Sequence, residues 1–124
     1  MTNVLLVFIG GGLGAVVRYW LGGVVHKLIG TGFPYGTLAV NFLGCFAIGM
    51  LMVGFEDRFL VNPSLRIFLT IGILGGFTTF SSFSFETIAL ARGGEFLFAG
   101  LNVLLSVTMC LVSTYVGTLI GKLL

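Results

Sequence analysis

The chain has 124 residues, 57% of them hydrophobic and only 8% charged, and a mean hydropathy of +1.17. Soluble domains carry about 25% charged residues, so this composition describes an all-α integral membrane protein. A net charge of +2 from six basic and four acidic residues is too small and too scattered for a nucleic-acid surface or an acidic substrate.

A helix needs about 20 apolar residues to cross the hydrocarbon core. Four segments qualify, at about residues 3–25, 34–55, 65–91 and 96–121, and nothing remains for a soluble domain. Residues 1–124 therefore read as a single four-span transmembrane domain. The first span has no basic stretch before it and no small-x-small cleavage site, so it is expected to be retained. Its Gly10-Gly11-Gly12-Leu13-Gly14-Ala15 contains a GxGxxA string. A dinucleotide fingerprint needs an acidic residue about 20 positions on, and none follows before Glu56. Gly10 and Gly14 instead form a small-xxx-small pair suited to close helix packing. Arg18, near the end of this span beside Tyr19 and Trp20, either anchors the chain at the interface or draws anions into a vestibule. His26 and Lys27 close the span, His26 as a loop residue.

Span two opens near Pro34 and carries Thr37 and Asn41 one helical turn apart. An unpaired amide is costly at that depth, so Asn41 either bonds another helix or lines a polar path. Cys45 reads as a small buried hydrophobe, as does Cys110, and the two imply neither a disulfide framework nor a metal site. Glu56, Asp57, Arg58, Asn62 and Pro63 form a polar loop.

Arg66 and Arg92 bracket span three, whose middle reads Gly75-Gly76-Phe77-Thr78-Thr79-Phe80-Ser81-Ser82-Phe83-Ser84-Phe85-Glu86. The glycines and threonines predict a third helix broken at mid-membrane, and irregular backbone at that depth must be buried in protein or line a cavity. Such a break exposes carbonyls that are ready ion ligands. Phe80 and Phe83 fall on one helical face with Ser81 and Ser84 beside them. Aromatic ring edges are positive, so this face either packs as ordinary phenylalanines do or replaces the hydration of a small anion. Glu86, the only carboxylate within a span, either couples protons, binds a cation or caps a polar network.

Gly93 and Gly94 make a tight connection into span four, where Asn102, Ser106, Cys110 and Thr114 form a polar stripe at spacing four. The stripe suggests a polar track facing another, or a file of water and ions. Gly117 and Gly121 repeat the small-xxx-small spacing. Four spans place both termini on one side, and the basic residues divide about evenly, with Arg18, Lys27 and Arg92 against Arg58, Arg66 and Lys122. That balance is what insertion in both orientations requires. No catalytic set of residues is present, so an enzyme is not expected. The residues define a channel or transporter whose pathway needs an oligomer, with the ion left open.

GGLGAVVRYW at residues 11–20, PYGTLAVNFLG at 34–44 and GGFTTFSSFSFE at 75–86 together resemble the Fluc (CrcB) family of small fluoride channels, and the likeness extends over essentially the whole chain. The resemblance implies an antiparallel, dual-topology homodimer in the cell (plasma or inner) membrane, with two pores. Fluoride would leave passively when weak-acid uptake loads the cytoplasm. It implies that Asn41 lines the pore and that Phe80 and Phe83 form a box of ring edges around fluoride. Ser81, Ser84, Ser106 and Thr114 would form a polar track, in which Cys110 stands where a hydroxyl would serve better. Glu86 and Arg18 match polar positions at the ends of the pathway, Arg18 in the vestibule. A structural Na+ at the dimer interface would be held by backbone carbonyls, for which Gly75 and Thr78 are the matching positions. The rival reading is a proton-coupled efflux transporter of the small multidrug type, also four-span, but that family places a glutamate in span one and this chain has no acid there.

Overall fold

The computed structural model describes residues 1–58 and 62–123. Four helices are long and apolar enough to cross a membrane: Thr2–Ile29, Tyr35–Glu56, Pro63–Arg92 and Phe96–Leu123, here spans one to four. All regular structure among the described residues is helical, and the chain is a multi-pass membrane protein.

Local chemistry sets the ends of these helices. Span one runs past Val25 to Ile29 and stops at Gly30, whose φ of 110° favours glycine and whose amide bonds His26 O at 2.9 Å. His26, expected in a loop, is thus a half-buried helical residue. A Cβ on Gly36 of span two would come within 2.8 Å of its Nε2, so the imidazole occupies the space that this glycine leaves. Span two begins at Tyr35 with Pro34 as its cap and continues through a wider π-type turn at Gly54–Arg58. Residues 59–61 of the expected polar loop lie outside the described residues. Beyond them Asn62 caps span three, its Oδ1 accepting from the Ser64 amide at 2.8 Å, with Pro63 in the first turn where its missing N–H costs nothing. Gly94, with φ 82°, lets the chain reverse after Arg92, and the Glu95 amide returns to Leu90 O at 2.8 Å.

Glycines set how closely the helices approach. Span one packs on the first half of span three. A Cβ at Gly10 would lie 2.9 Å from Phe68 O, one at Gly14 would strike Ile73 O, and one at Gly76 would strike Gly11 O. Spans two and four share the most extensive helix contact. Phe46 O rests on Gly117 and Met50 O on Gly121, while Thr114 O rests on Gly49. Both helices advance by one turn between the first two contacts, so they run in the same direction. Ser113, 2% exposed, adds a hydrogen bond to Phe42 O at 2.7 Å. Both small-xxx-small pairs therefore lie at backbone-to-backbone contacts. Large apolar side chains such as Phe8, Trp20 and Phe96 point outward, as a lipid-facing surface requires.

Span three is not uniform. Phe68–Leu74 has the wider π winding and Gly75–Phe77 returns to α. Thr78 and Thr79 are extended, with φ, ψ of −86°, 159° and −152°, 122°. Phe80–Arg92 is then α-helical and lies against span four.

Candidate functional site

The two extended threonines occupy a position where helical hydrogen bonding would ordinarily continue, so each backbone group needs another partner. The Thr78 amide still reaches Leu74 O at 3.0 Å. Asn41 of span two takes the next residue. Its Oδ1 accepts from the Thr79 amide at 2.8 Å, and its Nδ2 donates to Thr79 O at 2.9 Å. In a continuous helix that amide would serve Gly75 O. Likewise the Ser82 amide, which would serve Thr78 O, donates instead to Thr79 Oγ1 at 3.1 Å and caps the following helix. The carbonyls of Gly75 and Thr78 thereby lose the amides that would occupy them in a helix. Gly76 O is taken by Arg18, whose Nε donates to it at 3.0 Å. Arg18, expected at an interface or vestibule, thus bonds the same stretch of span three from span one.

These features border a groove of about 490 Å³ between spans two, three and four. Asn41, Phe80, Phe83 and Ser106 line it together with Gly75 and Thr78. Residues assigned separately to an anion route and to a cation site therefore share one wall. The Phe80 and Phe83 rings pack with centroids 5.3 Å apart and planes tilted by 52°. Phe80 is 78% exposed in the single chain, so its outer face is open to whatever covers the groove.

Other expected residues lie elsewhere. Ser81 and Ser84 are exposed and outside the groove lining, with Ser81 Oγ 3.2 Å from Thr79 Oγ1. Thr114 turns its hydroxyl back to Cys110 O at 3.0 Å, a local bond that leaves no donor directed into the groove. Glu86 accepts from the Thr37 hydroxyl at 2.5 Å. That short contact joins span two to the helical second half of span three.

A buried chain of polar groups continues from the groove. Ser106 donates to Asn102 Oδ1 at 3.4 Å, Asn102 Nδ2 donates to Thr87 Oγ1 at 2.9 Å, and Thr87 donates to Phe83 O at 2.7 Å. Asn102 is 2% exposed, so its amide depends on these partners. Thr87 was not singled out from sequence. It lies one turn beyond Phe83 on the same face, and only that spacing could have pointed to it.

The fold and groove define an all-helical multi-pass membrane protein with a polar seam among spans two, three and four. The profile of the family described as "CrcB-like protein, Camphor Resistance (CrcB)" matches residues 5–118. A Geotalea uraniireducens protein, named fluoride-specific ion channel FluC, is 52% identical over 124 residues and covers all of both chains. A protein of the same name from Geobacter sulfurreducens is 50% identical over 122 residues, 98% of each chain. One from Coxiella burnetii is 47% identical over 121 residues, 97% of this chain and 98% of that one. The chain belongs to the CrcB family.

Proposed function

We propose that the protein is a passive, selective fluoride channel and not an enzyme, exporting the anion across the cell membrane. The observation that carries this reading is the common groove, in which Asn41, Phe80, Phe83 and Ser106 gather around the extended backbone at Thr78 and Thr79. Fluoride is small and strongly hydrated, so a selective path must replace its water with several donors, none strong enough to trap it. Positive ring edges and hydroxyls meet that need without a charged side chain in contact with the anion. The fluoride-specific names of relatives about half identical over the full chain support the same ion.

Phe80 of the groove is 78% exposed in one chain, and a second copy in the opposite orientation would cover it. The even division of basic residues suits such an antiparallel, dual-topology homodimer with one pore on each side. In this reading the extended pair of span three lies at mid-membrane. The carbonyls of Gly75 and Thr78, relieved of their helical amides, would hold a structural Na+, for which hard, neutral oxygens are the fitting donor set. That ion would supply a fixed positive field between the subunits. Asn41 holds Thr79 in place, and its carboxamide edge borders the route. Ser106 offers a further hydroxyl along it, the exposed Ser81 and Ser84 would meet the route only where a second subunit covers them, and Glu86 and Arg18 stand towards its ends.

Purified protein in liposomes tests the reading. A fluoride electrode should record rapid, voltage-sensitive fluoride efflux with chloride retained. Efflux of chloride at a similar rate, or proton exchange driven by drug cations without fluoride current, would overturn it.

A further inference from the structure

Cys45 and Cys110 are the chain's only two cysteines, and the proposed function gives neither a role in binding the anion. Both line the groove, and both are half-buried free thiols. Their meeting follows from the register of spans two and four. Thr114 O rests on Gly49, and one turn back along both parallel helices brings Cys110 to Cys45. A further turn back brings Ser106 to Asn41, which line the same groove.

We propose that Cys45 and Cys110 form a two-coordinate site for a soft, thiophilic divalent cation, with Hg2+ as the probe. Thiolates select soft metals over the hard ions that carbonyl oxygens hold. Charge favours the divalent ion: two thiolates with one Hg2+ make a neutral unit, whereas a monovalent ion would leave a net negative charge beside Ile48, Val107 and Leu111. Neutral mercuric chloride delivers the metal. Each thiol releases its proton, each sulfur displaces one chloride, and the products are S–Hg–S, two protons and two chlorides, with no change of oxidation state. The site stands on the thiol pair itself. Only its effect on fluoride rests on the proposed channel.

Titrating the purified full chain with mercuric chloride tests the site, with free thiols counted by a colorimetric disulfide reagent. One mercury per chain should consume both thiols. Excess glutathione should then strip the metal from Cys45→Ser or Cys110→Ser at least about tenfold faster than from the native protein, because the second sulfur acts at high effective concentration. Uptake of two mercury ions per chain, or equal release from native and single-cysteine proteins, would overturn the proposal. The stoichiometry needs no variant, so poor folding of a serine protein leaves it decisive. In liposomes one equivalent of mercury should arrest native fluoride efflux. Each variant is compared with its own untreated rate, and the protein lacking both thiols should show no inhibition. Full flux through mercury-loaded protein would refute a site on the ion path. Absence of fluoride efflux before any mercury is added would instead remove the channel reading and leave the thiol stoichiometry to decide the site.

Discussion

The two halves of span three are built on different principles. From Pro63 to Phe77 the segment is held by backbone proximity, with Gly10, Gly14 and Gly76 removing side chains wherever span one and span three meet. From Phe80 to Arg92 it is held by side-chain hydrogen bonds, through Thr37 to Glu86 and Asn102 to Thr87. Between the halves, Asn41 and Arg18 bond the backbone of Thr79 and Gly76 from two different helices. In lipid no hydrophobic force separates helix surface from solvent, so packing and polar bonds must set association. This molecule weights packing in the first half and polar side-chain bonds in the second. Substitutions in the first half should therefore act on folding, and those in the second on conduction.

The largest expected effect is at Gly14. A valine there would drive its side chain into Ile73 O, a backbone atom with no freedom to rotate away. Overpacking typically costs about 1–3 kcal/mol, and a backbone clash lies at the upper end. Gly14→Val should lose most of its folded protein in detergent gel filtration, and flux with it. A native elution profile would show that span one is free to move away and that the first half is not packing-limited.

Phe83→Ile sharpens the contrast from the other side, since isoleucine keeps an apolar side chain but removes the ring edge. Fluoride efflux should fall to the protein-free background while gel filtration and thermal unfolding stay near native. Phe80→Ile should behave in the same way, because its ring is largely exposed and contributes little to the packing of one chain. Retained flux in both would dismiss the ring-edge account.

Asn41 sits where the two principles meet and should show both effects at reduced size. Asn41→Asp removes the donor to Thr79 O, sets a carboxylate oxygen against that carbonyl, and puts negative charge on the groove wall. An unsatisfied buried group costs about 1–3 kcal/mol, so the melting point should fall and fluoride flux should be suppressed. A native rate with lowered stability would make Asn41 a clamp alone.

The difference between the halves also explains what sequence could reveal. Hydropathy and length mark all four spans, and spacing of four marks both glycine pairs and the span-four stripe, because these are repetitive signals along one helix. Asn41 is recognisable as an amide too costly to leave unpaired, yet its partner is the backbone of Thr79, 38 residues away. Backbone partners carry no signature in the residue type. The same holds for Arg18, whose partner is the carbonyl of a glycine. Thr114 is the opposite case, in that its place on the stripe suggested a track, whereas the threonine hydroxyl has a ready local acceptor one turn back. Glu86 has three roles open to it in sequence, and the hydroxyl that bonds it, Thr37, lies 49 residues away on another span.

Ser113 offers the smallest effect and the cleanest control for this distinction. It neighbours Thr114 but faces span two, where its hydroxyl bonds Phe42 O at 2.7 Å outside the groove lining. It therefore belongs with the packing contacts of Gly117 and Gly121 although it is polar. Hydrogen bonds between membrane helices average about 0.6 kcal/mol, and alanine fits without a clash because it only removes an atom. Ser113→Ala should lower the melting point slightly and leave fluoride efflux unchanged. A loss of flux larger than the loss of stability would mean that the polar path extends past the groove along span four, so that polarity rather than position within span three separates conducting residues from structural ones.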